Sequence, residues 1–126
     1  MMKPVRTFLP ALAALILVSG AAFADSPPLK KVDGIAVDAA GMTVYTFDQD
    51  AAGSGKSVCN GPCAGLWPPV VAPAGQLAAP YSAVTRDDGT KQLAYKGKPV
   101  YRFASDQKPG DRSGDNLKNV WHIVQD

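Results

Sequence analysis

Residues 41–50 read GMTVYTFDQD, and residues 97–106 read GKPVYRFASD. Both fit G-x-x-V-Y-x-F-x-x-D, so Gly41, Val44, Tyr45, Phe47 and Asp50 are answered by Gly97, Val100, Tyr101, Phe103 and Asp106. Side chains alternate between the two faces of an extended strand. Tyr45 and Phe47 therefore share one face and Val44 and Thr46 the other, and the aromatic face is expected to be the buried one.

The flanks of the two phrases align as well. Each is preceded by a short apolar run, Ile35 to Val37 or Leu93 to Tyr95, and a Gly-containing turn. Each is followed by a Gly-rich loop and then a tryptophan: Trp67 lies 22 residues after Tyr45, and Trp121 lies 20 after Tyr101. Two half-size copies of one supersecondary unit, neither able to bury its aromatic face alone, are expected to pack together. The repeat-like halves are about 33–80 and 81–126, within a single β domain over 33–126.

The remaining strand signals fit this frame. GIAV, the turn DAAG and MTVYTFD read as a hairpin. YSAVTR and TKQLAY flank Asp88-Gly89, a strong hairpin signal, and with PVYRFA they make a three-stranded meander. VWHIV closes the chain as a last short strand. Between the halves, VCNGPCAGLWPPVVAP is allowed one helical turn at most, because Gly61 and Pro62 interrupt it and Pro68 stops it. The stretch to Pro80 is expected to be irregular and to cover one side of the sheet.

Composition points the same way. All eleven acids are Asp, and Asp favours turns and caps where Glu is comfortable inside helices. With 12 Gly and 11 Pro, the fold class is all-β, a small antiparallel sheet domain built from two related hairpin units. Residues 1–24 carry Lys3 and Arg6 ahead of an apolar run from Ala11 to Val18 and end Ala22-Phe23-Ala24, the pattern of a cleaved secretory signal peptide. That run is too short to span a bilayer. Residues 25–32 then read as a flexible lead-in.

Without residues 1–24 the chain has eleven basic residues against eleven acids, so nothing electrostatic favours nucleic acid or an anionic membrane. No cysteine follows the cleavage point, so no lipid anchor is expected either. The product is expected to be soluble, in the periplasm or secreted. Cys59 and Cys63, the only cysteines, read as a disulfide in an exported protein. Closing so small a loop is worth roughly 2 kcal/mol.

VYTFDQD, CNGPCAGLWPP, DDGTKQLAYKGKPVYRFASD, PGDRSGD and VWHIV together resemble a family of exported bacterial proteins described as secreted repeats, or as predicted lipoproteins with a Y-x-(F/W/Y)-x-x-D motif. The resemblance covers nearly all of the chain after residue 24. It implies an exported repeat protein and no particular activity. Lacking a lipid-accepting Cys, this chain departs from the lipoprotein members.

Candidate sites are few. Asp50 and Asp106 read first as caps that steer each strand into its loop. The competing reading is a calcium site drawn from Asp48, Asp50, Asp106, Asp111 and Asp115, although neither loop has the full calcium-loop pattern. His122, the sole histidine, alternates with Trp121 and is expected at the surface; as a weak candidate it would join a copper site or ligate a haem. Tyr45, Phe47, Trp67, Tyr95, Tyr101, Phe103 and Trp121 line either a core or a ligand groove, and the core is the favoured reading. The C-x3-C spacing is one longer than that of redox dithiols. Ser54, Ser57, Ser82, Ser105 and Ser113 sit in no nucleophile-elbow pattern, and no nucleotide fingerprint occurs.

The expectation is thus a non-enzymatic envelope binding or structural module without a cofactor, its partner an envelope protein or small ligand. The alternative is a redox or metal-handling accessory protein.

Overall fold

The computed structural model describes residues 27–125. The expected signal segment, residues 1–24, lies outside them. The chain runs β1 (Lys30–Val32), β2 (Ile35–Val37), β3 (Tyr45–Phe47), α1 (Pro62–Leu66), β4 (Tyr81–Thr85), β5 (Lys91–Tyr95), β6 (Lys98–Tyr101), a 3-10 turn (Leu117–Asn119) and β7 (Trp121–Ile123). β1 and β2 form a two-stranded sheet, and the other five strands form an antiparallel sheet in the order β4-β5-β6-β3-β7. Over the described residues the protein is an all-β domain with one short α-helix.

The two motif strands sit together within the larger sheet. Tyr45 on β3 stands opposite Tyr101 on β6, and Thr46 opposite Val100. Gly41 and Gly97, the glycines that open each phrase, hold φ of 87° and 83°. Both occupy the left-handed region that a side chain disfavours.

Three local expectations are corrected. The first concerns order at the start of the domain. Lys30–Val32, placed in a flexible lead-in, is a strand paired with Ile35–Val37. The cause is Asp33-Gly34, whose φ values of 52° and 79° provide the two left-handed residues of a tight hairpin turn. The turn expected at residues 38–41 also forms: Asp38 Oδ1 accepts the N–H of Ala40 (2.9 Å) and Met42 (3.0 Å), and Val37 faces Thr43. That pairing is a single bridge and not a ladder.

The second correction concerns residues 68–72, expected to be irregular cover on one face. They join the hydrogen-bonded ladder instead. Pro68 O accepts from Arg102 N (2.7 Å) and Val70 N donates to Val100 O (3.1 Å), which ties the segment to β6. Val70 O then accepts from Leu93 N (2.8 Å) and Ala72 N donates to Lys91 O (3.0 Å), which ties it to β5. The prolines are tolerated because the donors come from Val70 and Ala72.

The third is that both faces are buried. Tyr45, Phe47, Cys59, Trp67, Tyr101 and Trp121 form an aromatic cluster on one side. Val44 and Val100 belong to a separate aliphatic cluster with Leu29, Ala36, Leu93 and Val124.

The strand that follows each tryptophan pairs with the motif strand of the other half. Ile123 faces Tyr45, and Pro69 faces Tyr101. Asp48 N bonds Val120 O and Ala104 N bonds Leu66 O, both at 2.8 Å; Ala36 N bonds Val124 O and Leu93 N bonds Val70 O, again both at 2.8 Å. The duplication is therefore an exchange: each half lends its last strand to the other.

Candidate functional site

The motif side chains follow the same exchange. Tyr45 Oη donates to Asp106 Oδ2 (2.5 Å), and Tyr101 Oη donates to Asp50 Oδ2. The tyrosine of each phrase is thus bonded to the aspartate of the other. The second oxygen of each carboxylate holds the loop that follows: Asp50 Oδ1 accepts Val58 N (2.7 Å), and Asp106 Oδ1 accepts Ser113 N (3.0 Å) and Ser113 Oγ (2.7 Å). Each phenol has a further partner, Ser57 Oγ at 2.5 Å from Tyr101 Oη and Gly114 N at 3.2 Å from Tyr45 Oη.

All four side chains are buried, Asp50 at 1 % exposure and Asp106 at 7 %. Burial, followed by the carboxylate of Asp106 or Asp50, pushes the Tyr45 and Tyr101 hydroxyls well above the ordinary tyrosine range. They remain protonated donors in the fold.

Arg86 completes one of these networks, and the sequence reading missed it. It follows β4 and is 5 % exposed. Its Nη1 donates to Ser57 Oγ (3.0 Å) and Gln92 Oε1 (2.7 Å), and its Nη2 to Cys59 O (2.5 Å) and Asn60 Oδ1 (3.1 Å). All four acceptors are neutral. A hydrogen-bond chain through Ser57 and Tyr101 links the guanidinium to Asp50, and its charge also helps hold the exposed Asp88 carboxyl below the usual range, after the bonds from Thr90. A charged residue beside a turn reads as a surface group, so only the pairing of Ser57 and Ser113, each seven residues after a motif aspartate, signals this region in sequence.

Cys59 and Cys63 form a disulfide with Cα atoms 5.2 Å apart, and Cys59 is fully buried. The bridge spans the start of α1 and fixes the Cys59 carbonyl that receives Arg86.

The remaining candidates fall in separate places. Asp48 and His122 meet, with Oδ2 and Nε2 2.8 Å apart, and His122 Nδ1 lies 3.1 Å from Asn116 Oδ1. The His122 side chain is 34 % exposed, opposite Thr46 across the β3–β7 pair. Asp111 accepts Gln107 N (2.9 Å) and Lys108 N (3.3 Å), bonds that draw its carboxyl below the usual range. Asp115 accepts Ile123 N (3.3 Å). Among the described residues, no three His, Cys, Asp or Glu side chains converge as metal ligands would.

Tyr95 lies apart from the aromatic cluster, against Tyr81 with ring centroids 5.3 Å apart. Phe103 packs at the edge of that cluster, stacked on Trp67.

One open groove, of about 580 Å³, lies along the exchanged segment between Pro28, Ala39, Pro68, Pro69, Val71 and Pro73. Its polar wall is the ion pair of Asp38 with Arg102. Val71 is 77 % exposed there. No helix among the described residues is long and apolar enough to cross a membrane.

A family model described as a secreted repeat of unknown function matches residues 29–71 and 82–125, one match to each half. No curated protein and no solved structure matches the chain.

Proposed function

We propose, from the premise that this chain belongs to the family of secreted repeats of unknown function, that it serves in the cell envelope or outside the cell as a non-enzymatic module that binds a partner protein. The observation that carries this reading is the use made of the repeated polar groups. Tyr45, Tyr101, Asp50 and Asp106, which look most like acid–base machinery, are buried and bonded to one another across the halves. They have no face on which to meet a substrate. The open groove along residues 68–73 is mostly apolar, with Val71 standing out of it among prolines. Exposed apolar surface on a small domain supports protein docking.

The test is site-specific photo-crosslinking in the native envelope. A crosslinker at Val71 is expected to capture one defined envelope protein, and a crosslinker at Lys118 is expected to capture none. Detection of a turnover that a single substitution at the groove abolishes overturns the reading.

A further inference from the structure

We infer that the outer edge of β4 is a docking site for an extended segment of a partner protein that carries lysine or arginine at its N-terminal end and adds antiparallel to the sheet. The site shares no residue with the groove at Val71 and does not rest on it. β4 ends the five-stranded sheet, with β5 on one side only. Pro80 O accepts Lys96 N (2.8 Å) and Arg86 N donates to Thr90 O (2.9 Å), the pairs just before and just after the β4–β5 ladder. Bonded pairs alternate with non-bonded ones along antiparallel strands. Ser82 and Val84 therefore bond to β5, while Ala83 and Thr85 turn their N–H and C=O groups outward. Leu93, opposite Ala83, has the same phase: its N–H points away from β4 and reaches Val70 O (2.8 Å). Among the described residues, no hydrogen bond reaches the backbone of Ala83 or Thr85, and both residues are exposed.

The edges of β7 and β1 are defended. Along β7, Asn116 N donates to Trp121 O (2.7 Å) and Asp115 Oδ1 accepts Ile123 N (3.3 Å). β1 is three residues long and carries Lys30 and Lys31, the short charged edge by which sheets avoid pairing. β1 and β4 hold the same place in the two repeats: each is hairpinned to the next strand, and the family match to each half begins beside it, at residues 29 and 82. The edge guarded in the first repeat is thus left open in the second, where β4 runs for five residues, YSAVT, with neither charge nor proline. An open edge takes an added strand through main-chain bonds, and the side chains around it choose which strand.

The side chains at the end of β4 are acidic. Asp87 and Asp88 follow the strand, both exposed, and border a groove of about 510 Å³ with Asn60, Gly61 and Ala64. Arg86 also borders it, but its guanidinium is held by four acceptors. Lys91 lies on the other face of β4 from Val84 and Arg86, with its Nζ on Thr85 Oγ1 (2.8 Å). An antiparallel strand brings its N-terminal end to the two carboxylates, so lysine or arginine there completes the pairing. A second copy of β4 matches the edge less well. Symmetric pairing about Ala83 sets Thr85 against Tyr81, whose N–H is already given to Ala78 O (2.9 Å), and sets Asp87 and Asp88 beside alanines instead of cations.

The probe is a short synthetic peptide, two lysines followed by alternating threonine and valine, added to the isotope-labelled chain. Amide hydrogen exchange read by NMR is expected to show Ala83 and Thr85 exchanging freely without peptide and protected with it, while Val84 is protected throughout. Methylating the peptide nitrogens that face β4 is expected to abolish that protection. Ala83→Pro, which removes an outward N–H without touching the β5 ladder, is expected to abolish it at Thr85. Replacing the two lysines by glutamates is expected to weaken binding about tenfold at low salt, the size of two exposed ion pairs. Exchange at Ala83 and Thr85 that is unchanged at millimolar peptide overturns the inference, as does equal protection by the methylated or the glutamate peptide. Protection that rises with protein concentration alone gives the edge to a second copy and overturns it too.

Discussion

Trp67 and Trp121 lie face to face, ring centroids 3.7 Å apart and planes within 4°. Each continues into a phenylalanine of the opposite half, Phe103 on Trp67 and Phe47 on Trp121, both with centroids 4.1 Å apart. The four rings form one column in which the halves alternate. Tyr45 and Tyr101 abut it edge-on. Such contacts add to the area burial of each ring, so the column ties the two halves together.

The column has one narrow point. A Cβ on Gly114 would stand 2.6 Å from Trp67 Cη2 and 3.1 Å from Phe103 Cδ2. Gly114→Ala is expected to destabilise the domain by about 1–3 kcal/mol, as overpacking does, and to weaken the near-ultraviolet signal of the stacked indoles. Urea unfolding with circular dichroism checks both. Gly110→Ala, where a Cβ meets nothing within 4 Å but φ is 96°, separates steric crowding from backbone strain: it should cost stability while leaving the indole signal intact.

The crossed Tyr–Asp bonds predict which residues couple. Tyr45→Phe leaves Asp106 without its phenolic donor and Tyr101→Phe does the same to Asp50, at about 1–3 kcal/mol each. The second should cost more, because Asp50 then keeps Val58 N where Asp106 keeps both Ser113 donors, and Asp50 is the more buried acid. In double-mutant cycles with Asp→Asn, Tyr45 is expected to couple to Asp106 and Tyr101 to Asp50. Tyr45 should be additive with Asp50 within about 0.5 kcal/mol. Coupling inside each phrase, instead of across, would contradict the exchanged arrangement.

How much of this was legible depended on sequence distance. The period-2 aromatic face, the turn-favouring Asp and Gly content and the Asp88-Gly89 hairpin are local signals, and they specify an all-β chain with doubled hairpins. The exchange is non-local: nothing in VYTF says that its partner strand is VWHI and not VVA. Residues 68–72 hid because two prolines normally argue against a ladder, and β1 hid because Lys30 and Lys31 break the apolar pattern. Arg86 hid because a charged side chain after a strand is usually solvated. Its burial is visible only when Cys59 O, Gln92 and Ser57 are brought around it.

Arg86 is accordingly the strongest single-site test of the polar core. Arg86→Met keeps the bulk of the side chain but leaves the Gln92, Cys59 and Asn60 acceptors without their donor. The expected loss is about 3 kcal/mol or more, measured by urea unfolding, because several buried acceptors each lose a charged donor at about 1–3 kcal/mol apiece. Arg86→Lys should recover only part of it, since one ammonium cannot reproduce two nitrogens placed on opposite acceptors. A full recovery by lysine would mean that charge alone, without the fork geometry, holds the site.

Alkaline pH should separate the two tyrosine pairs from ordinary surface titration. Folding raises the Tyr45 and Tyr101 hydroxyls above the usual value, chiefly through burial. An unfolded tyrosine loses its proton near pH 10. The folded state therefore binds more protons than the unfolded state between that value and the folded pKa, and its stability falls as pH rises through this window. Below about pH 10 the contribution is fully present. Urea titrations from about pH 8 to about pH 11 are expected to show stability falling at the upper end, with the Tyr45 and Tyr101 phenolate absorbance appearing only as the chain unfolds. The Tyr45→Phe, Tyr101→Phe double variant should be less stable at neutral pH yet lose less between those limits. If its alkaline loss equals that of the parent, the buried hydroxyls are not the groups responsible.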